Sequence, residues 1–228
     1  MKMSRRSLIS ASLAATAGAV CHPILSLASS FEGREPTFSI RLLISRRIAG
    51  LPVSTSFTEG VVAGLRNASP SLPLFAPEQA ISGSTFTEVM VDLVNARGKT
   101  ILALLSAQDA VLVNEGLREI GAKIVSHGNH STTAHRFITG SSGGIGNAFA
   151  SSLGSRVGNC TIDEICLGNS SVAPSPTVSD GSEWPYRLGY VLSSIMAGSD
   201  TAFPASMLRN SRNQSPFDID LVSIVSKI

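Results

Sequence analysis

The chain has 228 residues, 43% of them hydrophobic and 15% charged, and a formal net charge of +2. These values describe an ordinary globular protein with fewer charges than the average of about 25%. A chain of this length buries a full core in one domain, which excludes the small folds that depend on disulfide cross-links.

The first 28 residues have a composition of their own. Lys2, Arg5 and Arg6 precede an uncharged run at 7–20 that is rich in Ala, Ser and Thr, and a small-x-small pattern ends at Ala28. This order is typical of a cleaved export signal. The run is too short and too weakly apolar to cross a bilayer, which takes about 20 predominantly apolar residues. We expect cleavage near Ala28 and a single mature α/β domain at 29–228.

Residues 4–9, SRRSLI, resemble the twin-arginine export signal, in which Ser or Thr precedes two arginines, any residue and then apolar residues. The resemblance implies a periplasmic or secreted protein, exported in a folded state by the twin-arginine machinery and often with a cofactor or partner already bound. The alternative is a general secretory signal that carries two arginines. Cys21 does not indicate a lipid anchor, because Val20 is bulkier than the Gly or Ala that lipoprotein signals favour.

The mature domain has no basic excess. Without the signal, Lys plus Arg falls from 18 to 15 against 16 Asp plus Glu, so the net charge is near −1. We therefore expect no nucleic-acid partner and no attraction to an anionic membrane. Because no lipid site is indicated either, we expect no stable membrane anchor.

Strand and helix patterns alternate along the first half of the mature chain. Strands are predicted at 38–45, 72–76, 100–106 and 123–128, and helices at 57–68, 85–98 and 110–121. This alternation predicts an α/β fold, a three-layer sandwich with a mainly parallel sheet. Ser54 or Ser56 is expected to cap the first helix, and Gly121 to close the third. The segment from 100 to 128 is a strand-helix-strand unit, which favours a right-handed crossover between parallel strands.

The last third of the chain is predicted to be richer in loops. A strand is expected at 135–139, and helices at 145–154 and 183–198. Residues 168–185 are dominated by Ser, Gly and Pro and are predicted to form a long loop, as is the polar stretch at 199–216. The alternating segment 218–228 is expected to be a strand at an edge of the sheet.

Two cysteines, Cys160 and Cys166, remain in the mature chain. In an oxidising compartment an even pair can form a disulfide, which here requires a turn near Asp163. The alternative is two free thiols on one strand, too far apart to bond. A catalytic thiol is not expected, because no histidine lies near the pair in the sequence.

Candidate binding residues follow the predicted strands of the strand-helix-strand unit. Loops at the carboxyl ends of parallel strands hold the ligands of open α/β sheets. Ser106 and Asp109 fall in the first such loop, and the residues from His127 onward fall in the second. Both loops are therefore predicted to contribute to a ligand site.

Three of the four histidines, His127, His130 and His135, fall in the second loop. Imidazoles are common neutral metal ligands, and three of them can bind a transition metal such as zinc or copper with a position open for water or substrate. Asp109 and Glu115 are the nearest carboxylates in the unit. The alternative is that these histidines are polar loop residues without a metal.

A glycine-rich segment follows. Thr139, Gly140, Gly144, Ile145 and Gly146 resemble the nucleotide-binding turn of short-chain dehydrogenases, in which glycines let the backbone approach a pyrophosphate at a helix N-terminus. That family also has a Tyr-x-x-x-Lys pair. Here the tyrosine at 186 has a second tyrosine, not lysine, four positions later, so a nicotinamide nucleotide is disfavoured.

The same segment contains a GxSxG pattern from Gly140 to Gly144, which resembles the nucleophile elbow of α/β-hydrolases with Ser142 as the nucleophile. That family places its histidine after the serine, and none follows His135. A hydrolase would need His127, His130 or His135 from another topology. A turn that binds an anion is the third interpretation, with Gly140, Ser141 and Gly144 as candidate ligand-binding residues.

These patterns do not define one activity. The interpretation they favour is an exported, non-catalytic accessory or ligand-binding protein that works beside a larger exported redox enzyme or another exported partner. The alternative is a serine or metal-dependent hydrolase that uses Ser142 or the cluster of His127, His130 and His135.

Overall fold

A computed structural model describes residues 39–68, 78–82, 85–140, 144–153, 160–167, 172–177, 183–199 and 220–228. The predicted signal peptide, the predicted strand at 72–76, most of the predicted loop at 199–216, and both Ser141 and Ser142 lie outside the described residues. The described segments belong to one compact unit, Phe38–Ile228.

Strands and helices alternate through most of this unit. In chain order they are β1 (Ile40–Ser45), α1 (Pro52–Ala68), β2 (Glu78–Ser82), α2 (Phe86–Asn95), β3 (Thr100–Ser106), α3 (Ala107–Glu119), β4 (Lys123–His130), β5 (Ala134–Thr139), α4 (Ile145–Leu153), β6 (Cys160–Cys166), β7 (Val172–Thr177), α5 (Trp184–Met196) and β8 (Leu221–Lys227). The strands form one sheet in the order β2-β1-β3-β8-β4-β5-β6-β7.

The predicted three-layer α/β sandwich is confirmed. One face of the sheet packs against α1, α4 and α5 through residues such as Phe57, Phe149 and Leu188. The other face packs against α2 and α3 through Leu93 and Val113. Successive residues of β1 and β3 supply opposite cores, as the period of two in a strand requires.

The sheet is mixed. Among the described strands, the pairs β1/β2, β1/β3 and β5/β6 are parallel, and the other four pairs are antiparallel. The short β4–β5 connection can only join antiparallel strands, and β8 lies antiparallel between β3 and β4. β3 and β4 therefore run in the same direction, as their helical crossover requires, but they do not pair with each other.

The prediction of β8 as an edge strand is wrong. Leu221 and Val225 belong to one core, and Val222 and Ile224 belong to the other, so β8 is apolar on both faces and occupies the middle of the sheet. Ser223, which made the segment look partly polar, is buried.

Helix boundaries follow capping chemistry more closely than apolar periodicity. α1 begins at Pro52, a position that favours proline, and Ser54 lies inside it with its hydroxyl donating to the carbonyl of Leu51 at 2.9 Å. Neither Ser54 nor Ser56 is therefore the cap. The predicted end of α3 is confirmed, because Gly121 has a φ of +68°. Its start lies earlier than predicted, and there Ser106 Oγ accepts from the Asp109 amide at 3.3 Å.

One prediction is corrected in the second half of the chain, and one open alternative is decided. β7 lies within the segment predicted to be one long loop. Cys160 and Cys166 are free thiols at the two ends of the continuous strand β6, which confirms the second of the two interpretations of this pair.

Candidate functional site

The β4–β5 hairpin brings two of the three candidate histidines together. β4 extends to His130, so the residues from His127 onward are strand and not the predicted loop. His130 pairs in register with His135 of β5, and their Nδ1 atoms are 3.1 Å apart. Gly128 and Asn129 continue the strand, because the hairpin supplies ladder partners that the local sequence does not reveal.

His127 does not join this pair. It lies three positions before His130 on the same strand, and its Nε2 is 3.2 Å from Nδ2 of Asn114 on α3. Residues an odd number of positions apart on a strand point to opposite faces. Within the described part of the chain, no group of three or more His, Cys, Asp or Glu side chains is placed to hold a metal ion. The structure therefore brings His130 and His135 together and places His127 on the opposite face of the sheet.

A buried serine completes a chain of polar side chains with the histidine pair. His130 Nε2 is 2.7 Å from Ser223 Oγ on β8, and His130 Nδ1 contacts His135 Nδ1. We call Ser223, His130 and His135 the histidine relay. A Cβ on Gly128 would lie 2.6 Å from both His130 Nε2 and Ser223 Oγ, so glycine is required there for the two groups to meet.

Aromatic side chains enclose the relay. The ring of Trp184 stacks on His130 with centroids 5.4 Å apart, and Phe137 and Phe149 contact the two imidazoles edge-on. Burial lowers the pKa of His135 to about 4. Burial, with a smaller effect from the facing His135, lowers the pKa of His130 well below its ordinary value. Both rings are therefore neutral at pH 7.

A cavity of about 530 Å³ adjoins the relay. It lies at the end of the sheet where β4 finishes and where β5, β6 and β8 begin, and we call it the sheet-end cavity. Its lining combines the two relay histidines with hydroxyl, amide, guanidinium and carboxylate groups: Ala107, Asn129, His130, Ser131, Ala134, His135, Arg136, Thr161, Asp163, Asp220, Leu221 and Val222. Arg136 and Asp163 form a loose ion pair at 3.6 Å.

The candidate residues Ser106 and Asp109 lie together at the carboxyl ends of β1 and β3, but their polar groups bond to each other and to the chain. Ser106 caps α3, and the Asp109 carboxylate accepts a hydrogen bond from Ser45 Oγ. All three residues are buried. Glu115, the other carboxylate considered, pairs with Arg118 on the exposed side of α3.

The glycine-rich turn does hold an anion, and that anion is a side chain of the same protein. The carboxylate of Glu164 accepts from the amides of Ile145 and Gly146 at 3.1 and 3.0 Å and from Thr139 Oγ1 at 2.9 Å. We call this arrangement the Glu164 cap. Gly146 is needed for its close approach, because a Cβ there would lie 2.9 Å from Glu164 Cβ.

The Glu164 cap affects both functional interpretations of the turn. The amides that a nucleotide pyrophosphate would use at the start of α4 are already bonded to Glu164. Gly144, with a φ of +89°, lies just before the helix, and Gly140 bonds to β4 through its amide. Ser142, the candidate nucleophile between them, lies outside the described residues, as does Ser141.

Sequence reasoning did not identify Ser223, Glu164 or the charged residues that line the sheet-end cavity. Ser223 lies 93 positions from the histidine it contacts, and no spacing rule links the two. Arg136 and Asp163 face each other across β5 and β6, and only the strand register places them together.

Comparisons with known proteins gave no relative: the chain matches no family model, no curated protein and no solved structure. Among the described helices, none has both the length and the apolar character that a bilayer-spanning helix needs.

Proposed function

We propose that the mature domain is an exported, non-catalytic protein that binds a small polar ligand in the sheet-end cavity. The observation that carries the proposal is a volume of about 530 Å³ lined by convergent charged and neutral polar groups. Ligand pockets typically measure about 300–1,000 Å³ and contain a few such groups.

The position of Ser223 within the relay favours ligand binding over hydrolysis by this serine. A serine bonded to an imidazole is the contact that activates the nucleophile of a serine hydrolase, and in such an enzyme the serine faces the substrate. Ser223 is only 1% exposed and does not line the cavity, whereas both histidines do. A hydrolase that uses Ser142 is the alternative function.

Binding is tested by native mass spectrometry of the mature protein purified from the exported fraction. We expect a bound small molecule in the wild type. Ala134→Trp, which fills the cavity from its rim, should abolish binding, and Val111→Trp on the exposed side of α3 should not. A native mass equal to that of the chain, with no thermal stabilisation by a panel of small metabolites, would contradict the proposal.

The export part of the proposal rests on the N-terminal sequence. The twin-arginine machinery is the partner that Arg5 and Arg6 imply, cleavage is expected near Ala28, and the mature protein is periplasmic or secreted. An accessory role beside an exported redox enzyme is consistent with folded export. Arg5→Lys combined with Arg6→Lys should retain the precursor in the cytoplasm, measured by fractionation and mass. Unchanged export would favour the general secretory route.

A further inference from the structure

The two faces of the sheet are not covered to the same extent. α1, α4 and α5 lie on one face, and among the described helices only α2 and α3 lie on the other. There they pack on β1, β3 and β8, and α3 meets β4 at His127. Beyond that contact, no described helix covers this side of the four strands β4, β5, β6 and β7. We call this side of the four strands the open sheet face.

The side chains at the centre of the open sheet face follow from the strand period. Phe137 of β5 and Ile162 of β6 point into the opposite core. Residues one position away from them therefore point onto the open face. These comprise a cation, an anion and two apolar side chains: Arg136, Asp163, Ile138 and Ile165. The side chain of Arg136 is 62% exposed, and Ile165 is 44% exposed.

The strand register arranges these four residues in two rows. Arg136 pairs with Asp163, and Ile138 pairs with Ile165. Both rows lie across the line between β5 and β6, which is the middle of the open sheet face because the strand order there is β4-β5-β6-β7.

A two-fold axis along this line would make the open sheet face complementary to itself. Such an axis places each row over the same row of a second copy and exchanges the two strands. Arg136 of one copy then faces Asp163 of the other, and Ile138 faces Ile165. Opposite charges and apolar side chains therefore meet in the same arrangement.

The same axis leaves room for α3. Two packed sheets lie about 10 Å apart, which is about the diameter of a helix. With the axis between β5 and β6, β4 of one copy lies over β7 of the other. Because β7 is at the edge of the sheet, the second copy ends there, and α3 of the first copy lies beside it.

We propose that the open sheet face is the interface of a two-fold homodimer. The face measures about 20 Å by 20 Å at the spacings of a sheet, which is small beside the roughly 800 Å² of accessible surface that each partner buries in a standard stable interface. The dimer is therefore reversible and depends on protein concentration. This inference goes beyond the proposed binding function and does not require a ligand.

Sedimentation velocity of the mature exported protein tests the dimer at a series of concentrations. We expect a monomer in dilute solution and a growing fraction of dimer as the concentration rises. A monomer at every concentration up to about 1 mM would overturn the inference. Sedimentation detects the dimer whether or not a small molecule is bound, so the dimer and the binding function can fail separately.

Charge reversal tests the position of the axis. Arg136→Asp and Asp163→Arg each put like charges opposite each other in the dimer, so each variant alone should be monomeric. An equal mixture of the two variants should form a heterodimer, because both pairs of opposite charges are restored between the copies. A mixture that stays monomeric, or a single variant that dimerises as the wild type does, would overturn the assignment. Circular dichroism checks that both variants are folded.

Ile165→Glu tests the apolar row. It buries a carboxylate against Ile138 of the second copy and should raise the Kd of the dimer by about tenfold or more. Val91→Glu is the matched control, because Val91 is 56% exposed on α2 and α2 packs on the far edge of the sheet at β2. The control should leave the Kd unchanged. Equal Kd values for the two variants would overturn the inference.

Discussion

The Glu164 cap and the histidine relay are two buried polar systems on the same side of the sheet, and they differ in how they end. Every polar contact of the cap closes within the protein: Glu164 bonds to Thr139 and to two amides of α4. The relay closes at Ser223, whereas Nε2 of His135 has no hydrogen-bond partner among the described residues. A closed polar system stabilises the fold, whereas an open one is available to a ligand.

The Glu164 cap and the histidine relay have different roles from those that the sequence motifs suggest. The glycine-rich turn matches two functional motifs and serves an internal carboxylate. The three histidines suggested a metal site, but the structure places His127 apart from the other two, which border the sheet-end cavity. In this protein, whether a polar group already has its hydrogen-bond partners is therefore a better guide to a structural or functional role than its likeness to a sequence motif.

The largest loss of stability is expected when the Glu164 cap is removed. Glu164→Ala leaves the amides of Ile145 and Gly146 unpaired in the interior and removes the carboxylate acceptor of Thr139 Oγ1, which should lower the free energy of unfolding by about 4 kcal/mol. Urea denaturation measures the loss, with Glu119→Ala on the surface expected to cost less than about 0.5 kcal/mol. Ligand affinity should stay unchanged. A parallel loss of affinity in folded Glu164→Ala would contradict the division between the two systems.

Acid should destabilise the protein through the relay. The pKa of His135 is about 4 when folded and 6.5 when exposed, so the unfolded state binds more protons between these values. Stability contributed by neutral His135 is complete above pH 6.5 and falls by about 3 kcal/mol as the pH drops to 4. His130 acts in the same direction.

The pH dependence is measured as the free energy of unfolding at a series of pH values between 7 and 5, above the range in which ordinary carboxylates titrate. His127→Gln should retain most of the dependence, because His127 is only partly buried and lies on the other face of the sheet. An unfolding free energy that stays flat from pH 6.5 to 5 would show that the relay is not neutral and buried.

Ser223→Ala should have a smaller effect on stability and a distinct effect on the relay. It removes one hydrogen bond and leaves His130 Nε2 without a donor, at a cost of about 1–2 kcal/mol. Because Ser223 Oγ can donate to His130 Nε2 and so favour the His130 tautomer protonated on Nδ1, its loss should shift the His130 imidazole signal in ¹H–¹⁵N spectra. Ser226→Ala, on the same strand but bonded to the Lys123 carbonyl, is the matched control and should not change that signal.

The smallest effect concerns the cysteines. Cys160 and Cys166 lie at opposite ends of β6, about 20 Å apart at the rise of an extended strand, so they cannot bond to each other. Reducing agent should leave the melting temperature unchanged. A melting temperature that falls on reduction would require a disulfide and a different path for this segment.

Local signals in the sequence predicted local structure well. β3 is predicted with its observed bounds because an apolar run of seven residues ends at a residue that caps the next helix. Ser106 caps within three residues of its partner, and Gly121 closes the helix through its own backbone freedom. Such features depend on neighbours in the chain, so periodicity and capping rules reach them.

Features that depend on pairing between distant segments could not be predicted. β8 looks like an edge strand because Ser223 and Ser226 interrupt its apolar residues, and only the sheet order reveals that both serines are buried. The glycine-rich turn indicated an anion, but its partner Glu164 is 18 positions further along on β6. The histidine relay forms only when the β4–β5 hairpin and β8 come together, and the local sequence does not reveal that pairing.

The most direct test of the account is native mass spectrometry of the mature wild-type protein beside folded Ala134→Trp, in which the new side chain fills the sheet-end cavity. We expect a bound small molecule in the wild type and none in the variant. A small molecule retained by Ala134→Trp would place the ligand elsewhere and contradict the account.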